Sequence, residues 1–181
     1  MASAVVPAVF ALLVCISFSA VLLTPIPAMV DYPNHLARMY VLVRDGTLNA
    51  NPYYQATWAL YPDLAMDLLV PRLARVFSVE TASRLFLLMS QGLIISGAVA
   101  LERVTKGRFE IAGFVAVIFL YCLPFAWGFV NFEFGIGASL WGTAFMLWVM
   151  ERPWSVRLLV NTFFVIVLFA AHFFALGVYG A

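Results

Sequence analysis

Apolar residues run through this chain in long stretches separated by short polar segments. A helix needs roughly 20 mostly apolar residues to cross the hydrocarbon core of a bilayer. Four runs approach this length, at about 4–27, 84–101, 110–128 and 157–180. A fifth run, 134–150, is slightly short but carries no charge. The pattern therefore predicts about five transmembrane helices.

The stretch "YPDLAMDLLVPRLARVF", residues 61–77, breaks this pattern because it mixes apolar and charged residues. Its leucines recur at helical spacing, which indicates an amphipathic helix. Its charged residues are Asp63, Asp67, Arg72 and Arg75. Since charges are costly at the bilayer centre, we expect this helix to lie flat on the membrane surface.

The basic loops predict the orientation of the chain. If 61–77 lies outside the bilayer, the loops 102–108 and 151–157 fall on one side and hold several Lys and Arg residues. The short loop 128–135 then falls on the other side and holds none. Short basic loops belong in the cytoplasm. We therefore expect a cytoplasmic N-terminus and an external first loop over 29–83.

The composition agrees with an integral membrane protein. Hydrophobic residues make up 65% of the chain and charged residues 10%, with a mean hydropathy of +1.00. Soluble domains average roughly 45–50% apolar and about 25% charged residues. The net charge of +1 provides no basic surface for nucleic acid. Cys15 and Cys122 both lie inside apolar runs and do not indicate a disulfide framework.

The first apolar run also has to be compared with a signal peptide. It lacks a positively charged start and a small-residue cleavage site, and it is longer than the usual apolar core of a signal. We interpret it as an uncleaved helix, with a cleaved signal as the alternative.

The external loop opens on the densest polar cluster of the chain, "DYPNHLAR", residues 31–38. The pattern predicts a short helix with Asp31 at its N-cap, followed later in the loop by the amphipathic helix 61–77. A long loop with helices of its own is usually functional. The loop would thus carry two surface helices next to the membrane.

Asp31, His35 and Arg38 would share one face of the first loop helix. An acid at this place can act as a base towards a hydroxyl group, and an arginine can bind a phosphate with two hydrogen bonds. The plainer interpretation is that Asp31 caps the helix, His35 is solvated and Arg38 contacts lipid headgroups.

Glu133 is the only charged residue between Glu110 and Glu151. The predicted topology places it in the second external loop, on the same side as Asp31. An isolated carboxylate between two apolar spans indicates a functional residue. The alternatives are an exposed loop acid or a partner for an arginine of the first loop.

The order of these parts resembles the N-terminal half of GT-C membrane glycosyltransferases, which include protein O-mannosyltransferases and bacterial lipid A aminoarabinose transferases. The likeness is carried by "DYPNHLARMYVLVRDGTL" and by "YPDLAMDLLVPRLARVFSVETASRLF", which are similar to the first external loop of that family. The chain also resembles uncharacterised bacterial members of that superfamily, in which a D-x-P-N-H-L-like element follows the first helix. The familiar Asp-Glu pair is absent, because Tyr32 follows Asp31.

The resemblance implies a specific chemistry. Such enzymes transfer a sugar from a polyprenyl-phosphate-linked donor on the external face of the bacterial inner (plasma) membrane. Asp31 matches the first-loop acid that engages the acceptor nucleophile. Glu133 matches the second-loop acid that binds a metal, such as a divalent cation, or orients the substrates. His35 and Arg38 are further candidates for binding substrate or metal.

The resemblance covers a single N-terminal module, so we expect the chain to be a fragment of a larger protein. Two other functions stay open. The chain could be a non-catalytic scaffold or lipid-binding subunit, in which Asp31 caps its helix and Glu133 faces solvent. It could also be a small transporter, for which Gln91, Asn161 and His172 supply the polar residues within the membrane.

Overall fold

The computed structural model describes residues 2–181, with side chains described from residue 5 onward. Over this range the chain forms nine α-helices and no strand. They are α1 (Ala2–Leu23), α2 (Tyr32–Arg44), α3 (Ala65–Leu73), α4 (Val79–Lys106), α5 (Ala112–Phe119), α6 (Leu123–Trp127), α7 (Val130–Trp148), α8 (Trp154–Ala171) and α9 (Phe173–Gly180). The predicted all-α class is confirmed for the described residues.

Three of these helices, α1, α4 and α8, are long and apolar enough to cross a membrane. The segment formed by α5 and α6 is apolar but shorter. These helices are consistent with a multi-pass membrane protein, and their exposed leucines, valines and phenylalanines fit a lipid-facing surface.

Two apolar runs that the sequence predicts as single spans are each divided. The run 110–128 forms α5 and α6, with a turn before Leu123 and a proline in the first turn of α6. Proline has no backbone N–H to continue the hydrogen bonds of the preceding helix. The run 157–180 forms α8 and α9, which meet at the extended residue His172 (φ −167°, ψ 129°).

The helix α9 returns alongside α8 instead of extending it. Tyr179 donates a hydrogen bond from its hydroxyl to Oδ1 of Asn161 at 3.1 Å, although 18 residues separate them. A Cβ atom added to Gly135 of α7 would lie 2.5 Å from Cβ of Ala175. The predicted last span is therefore a helix followed by a short returning helix.

The pair α4 and α7 forms the centre of the bundle. A Cβ atom on Gly137 would lie 2.6 Å from Cβ of Leu93, and one on Gly97 would lie 2.8 Å from Cβ of Leu140. Glycines at these two positions let the helix backbones approach closely, as small residues do in membrane bundles.

The loop helices α2 and α3 pack on one end of this bundle. Met39 of α2 and Met66 and Val70 of α3 are fully buried in a cluster that also contains Phe86 of α4. The two helices predicted as surface helices thus bury one face each against protein.

The opposite end of the bundle is closed by the turn between α4 and α5. The carboxylate of Glu102 accepts hydrogen bonds from the backbone N–H groups of Glu110, Ile111 and Ala112, at 2.8 to 3.3 Å. Gly107 ends α4 with a φ of 72°, a left-handed conformation that favours glycine. The basic side chains of Lys106 and Arg108 lie at this end and pair with Glu110.

Candidate functional site

Asn131 joins three elements at the end of the bundle that α2 and α3 cover. Its Oδ1 accepts a hydrogen bond from the backbone N–H of Met66 at 2.7 Å, and its Nδ2 donates to the carbonyl of Asp63 at 2.9 Å. The backbone N–H of Leu64 donates to the carbonyl of Ala170 at 2.7 Å. The start of α3 is thereby fixed against both α7 and α8.

Asp63 lies at the centre of this junction in an unusual backbone conformation. Its φ of 78° is the one positive φ among the described residues that are not glycine. Such conformations cost energy and persist where surrounding contacts hold them, often at functional sites. The carboxylate lies 3.9 Å from Nε2 of His172. The strained residue therefore presents an acid beside the corner between α8 and α9.

The start of α2 is attached to the end of α6. Val30 and Asp31 donate backbone hydrogen bonds to the carbonyls of Ala126 and Trp127, at 2.9 and 3.1 Å. A Cβ atom on Gly128 (φ 88°) would lie 3.1 Å from the backbone nitrogen of Asp31. Glycine is needed here for both its conformation and its size. These contacts bring Asp31 to the same end of the bundle as the start of α7.

The carboxylate of Asp31 occupies the N-cap position of α2 but makes no capping hydrogen bond. Its Oδ1 instead accepts from Nδ2 of Asn34 at 2.7 Å, and its Oδ2 lies 3.4 Å from Nε2 of His35. The side chain is 45% exposed. A half-exposed carboxylate that leaves the helix end uncapped is available to accept a proton or a hydroxyl group.

His35 is mostly buried beside this acid. Burial lowers its pKa below the ordinary value, while Asp31 and Asp63 oppose the shift and Arg38 adds to it. A neutral imidazole at this position can exchange a proton with the neighbouring carboxylate.

Arg38 does not join Asp31 and His35 but pairs with Asp67 of α3. Asp67 is buried, with 4% of its side chain exposed, whereas Arg38 is 47% exposed. Burial raises the pKa of Asp67, and the nearby guanidinium opposes that rise. The predicted common face therefore divides into two pairs, Asp31 with His35 and Arg38 with Asp67.

Glu133 lies in the first turn of α7 and not in a loop, because the turn between α6 and α7 is very short. The residue is 4% exposed, and its Oε2 has no hydrogen-bond partner among the described residues. It is four residues from Gly137 and so shares the helix face that packs against α4. The interpretation of an exposed loop acid is wrong.

A cavity with a volume of about 880 Å³ lies between α2 and the segment 49–61. It is lined by both members of the Arg38–Asp67 pair, by Arg44 and by several aromatic and amide side chains. Asp31, His35 and Glu133 are not part of its lining. Of the predicted site residues, only Arg38 reaches this cavity.

The resemblance to glycosyltransferases implies that acids and histidines of the site could hold a divalent cation. Within the part of the chain that the structure describes, no three His, Cys, Asp or Glu side chains are grouped to hold a metal ion. The described acids and histidines therefore do not fit a metal centre.

Sequence reasoning missed the junction residues Asn131 and Asp63. Asn131 could have been noticed as an amide two residues from Glu133 in an otherwise apolar segment. Nothing in the local sequence marks Asp63, because its role depends on contacts with α7 and α8.

No protein-family model matches the chain, and comparisons with curated proteins and with solved structures found no significant match.

Proposed function

We propose that the chain is the membrane module of a GT-C-like glycosyltransferase of the bacterial inner membrane. It would transfer a sugar from a polyprenyl-phosphate-linked donor to an acceptor hydroxyl on the external face. The observation that carries this proposal is the Asp31 carboxylate, which is half exposed and makes no cap for its helix.

The proposed topology has five membrane crossings, made by α1, α4, the α5–α6 segment, α7 and α8. In this arrangement α9 re-enters from the external side. Support comes from the basic residues of the short turns. Lys106 and Arg108 lie at the turn between α4 and α5, whereas Asp31, Asp63 and Asn131 lie at the opposite end. Short basic turns are expected in the cytoplasm, which would place the end that holds Asp31 outside. The arginines of that end, Arg38, Arg44, Arg72 and Arg75, belong to a long loop, where charge has less influence on topology.

In the proposed reaction the acceptor oxygen attacks the anomeric carbon of the donor sugar. The bond between this carbon and the phosphate oxygen breaks, and polyprenyl phosphate leaves with the electron pair. Asp31 takes the proton of the acceptor hydroxyl, as a general base. The proton can then pass to the unprotonated Nε2 of His35, which lies 3.4 Å from Oδ2 of Asp31.

The leaving phosphate needs positive charge, which Arg38 can provide from its half-exposed position on α2. We assign Glu133 a role in orienting the donor or the acceptor from α7. Its burial without a partner for Oε2 supports a role other than solvation of the surface.

The two alternative functions, a scaffold and a transporter, require different arrangements of the polar residues. A scaffold would use Asp31 as a cap and expose Glu133, and the geometry of both residues differs from that expectation. A transporter is favoured by one observation: Gln91 of α4 is fully buried, and neither of its side-chain polar atoms has a hydrogen-bond partner among the described residues.

The test is transfer of labelled sugar from polyprenyl phosphate to a hydroxyl acceptor, with the protein reconstituted in lipid vesicles. Asp31→Asn should lower the rate by at least about 100-fold, because general-base catalysis contributes roughly 10²–10⁴. Asp45→Asn is the matched control, since Asp45 is an exposed acid at the other end of α2. Equal rates for wild type and Asp31→Asn would exclude Asp31 from the mechanism.

A further inference from the structure

The cavity between α2 and the segment 49–61 combines guanidinium groups with aromatic rings. Arg38 and Arg44 lie on its α2 side, and Arg44 stacks over Tyr40 at 4.9 Å from the ring centroid. Trp58 and Tyr61 of the facing segment are exposed by more than half. Aromatic walls with a few charged groups are typical of sites for small ring-bearing ligands, and arginine recognises phosphate.

Arg38 is the arginine of this lining that pairs with a carboxylate among the described residues. Its guanidinium contacts Asp67, a buried acid of α3 that also lines the cavity, and about half of the arginine side chain is exposed. A phosphate entering the cavity would meet the exposed part of Arg38 while Asp67 holds the other part.

We propose that this cavity binds a phosphate-bearing sugar, whose phosphate replaces the Asp67 carboxylate as the partner of Arg38 while Asp67 takes up a proton from solvent. The choice of a sugar phosphate rests on the proposed function. The exchange between two anions rests only on the geometry of Arg38, Asp67 and the cavity.

The proton uptake follows from the burial of Asp67. A carboxylate that is 4% exposed cannot lose its cation and stay charged without a large cost. Burial already raises the pKa of Asp67 while Arg38 is its partner, so loss of Arg38 raises the pKa further. Asp63 acts in the same direction. The helices α4, α7 and α8 also pack against α3, and none contributes a charged group to Asp67 among the described residues.

The first measurement is calorimetric titration of the full chain in lipid nanodiscs with a hexose 1-phosphate. It is made at about pH 7.5, above the second phosphate pKa of about 6, in two buffers with different ionisation enthalpies. The difference in heat between the buffers gives the number of protons taken up. Wild type should take up a measurable fraction of a proton per bound ligand.

Variants of Asp67 and Arg38 separate the competition by the Asp67 carboxylate from the binding of phosphate by Arg38. Asp67→Asn should bind roughly tenfold more tightly and take up no proton, because its amide does not compete for Arg38 as an anion. Arg38→Gln should bind at least about tenfold more weakly. Arg72→Gln is the control, because Arg72 bonds to the carbonyl of Leu68 in its own helix and does not line the cavity. If Asp67→Asn does not fold, the wild-type proton uptake and Arg38→Gln still decide the question.

A second titration uses a polyprenyl-phosphate sugar included in the nanodisc as a competitor. Displacement of the hexose phosphate, or proton uptake with the lipid-linked sugar alone, assigns the site to the lipid-linked ligand. Binding of the soluble compound without competition assigns it to a free sugar phosphate.

Absence of binding by both ligands, unchanged binding by Arg38→Gln, or equal proton uptake by wild type and Asp67→Asn would overturn the proposal. Its failure is distinct from failure of the proposed function. Binding with proton uptake but without sugar transfer keeps the site and rejects the enzyme, whereas transfer that depends on Asp31 without proton uptake does the reverse.

Discussion

Asn131 of α7 caps the first turn of α3 from a distance of 65 residues along the chain, by accepting the backbone N–H of Met66 at 2.7 Å. The residue at the N-cap position of α3, Leu64, has no side-chain oxygen for this role. The same Asn131 donates to the carbonyl of Asp63, which has a left-handed backbone. One buried amide thus fixes both the loop helix and the strained acid beside the site.

Replacing Asn131 with leucine should lower the stability of the folded chain by about 1–3 kcal/mol, because the N–H of Met66 and the carbonyl of Asp63 lose a buried partner. The measurement is thermal unfolding in detergent micelles. Asn51→Leu is the control, since Asn51 is exposed and bonds only to its local turn. Equal losses for both variants would contradict the capping role.

The close approach of α4 and α7 predicts that Gly137→Ala is destabilising. The added methyl group would lie 2.6 Å from Cβ of Leu93, so the helices must separate. Overpacking of this kind costs typically about 1–3 kcal/mol. Gly92→Ala on α4 is the matched control, because the nearest atom to its added methyl group is 3.9 Å away. Gly92→Ala should be neutral or slightly stabilising, since alanine favours helix. A neutral result for both would show that the two helices are further apart.

The burial of His35 predicts a loss of stability on acidification. Because the folded protein lowers the pKa of His35, the unfolded chain binds a proton more readily. The stability contribution is complete above about pH 6.5, the unfolded pKa, and is lost as the pH falls towards the folded pKa. Unfolding measured across this range should show a slope in wild type that is smaller in His35→Asn. Identical slopes would mean that His35 is solvated.

The return of α9 along α8 can be tested by crosslinking. In one continuous helix, residues 161 and 179 would be about 27 Å apart at 1.5 Å per residue. In the folded chain their side chains are hydrogen-bonded at 3.1 Å. Asn161→Cys with Tyr179→Cys, in a background where Cys15 and Cys122 are serine, should react efficiently with a short bifunctional thiol reagent. The pair Asn161→Cys with Glu151→Cys is the control for non-specific crosslinking. A yield for the 161/179 pair that is as low as that of this control would argue for a continuous helix.

Much of the helical architecture could be predicted from the sequence. Hydropathy marked the apolar helices, and helical spacing marked α2 and α3 inside the first loop. Hydropathy does not predict that the apolar runs 110–128 and 157–180 are each divided into two helices. It reports how apolar a segment is and not the direction in which the chain runs. The chain turns back between α8 and α9 at a single extended residue, His172. The apolar run continues on both sides of this residue, so hydropathy does not mark the reversal.

The candidate site was predictable only in part. The spacing predicts that Asp31 and His35 lie together, since residues four apart on a helix are neighbours, and the two side chains are in contact. Spacing also suggested that Arg38 would join them, but the side chain contacts Asp67 of another helix. The sequence marks Glu133 as an isolated acid. Its burial was not predictable, because it depends on where α7 begins.

The sequence by itself determined the all-helical class of the fold, the polar segment that begins at Asp31 and the positions of the basic residues. These features follow from composition and from local periodicity. Only the tertiary structure decided which charges pair, which acid is buried and which amide caps a distant helix. Those outcomes depend on contacts between residues far apart in the chain, and no local pattern encodes which of several arginines, acids or amides will meet.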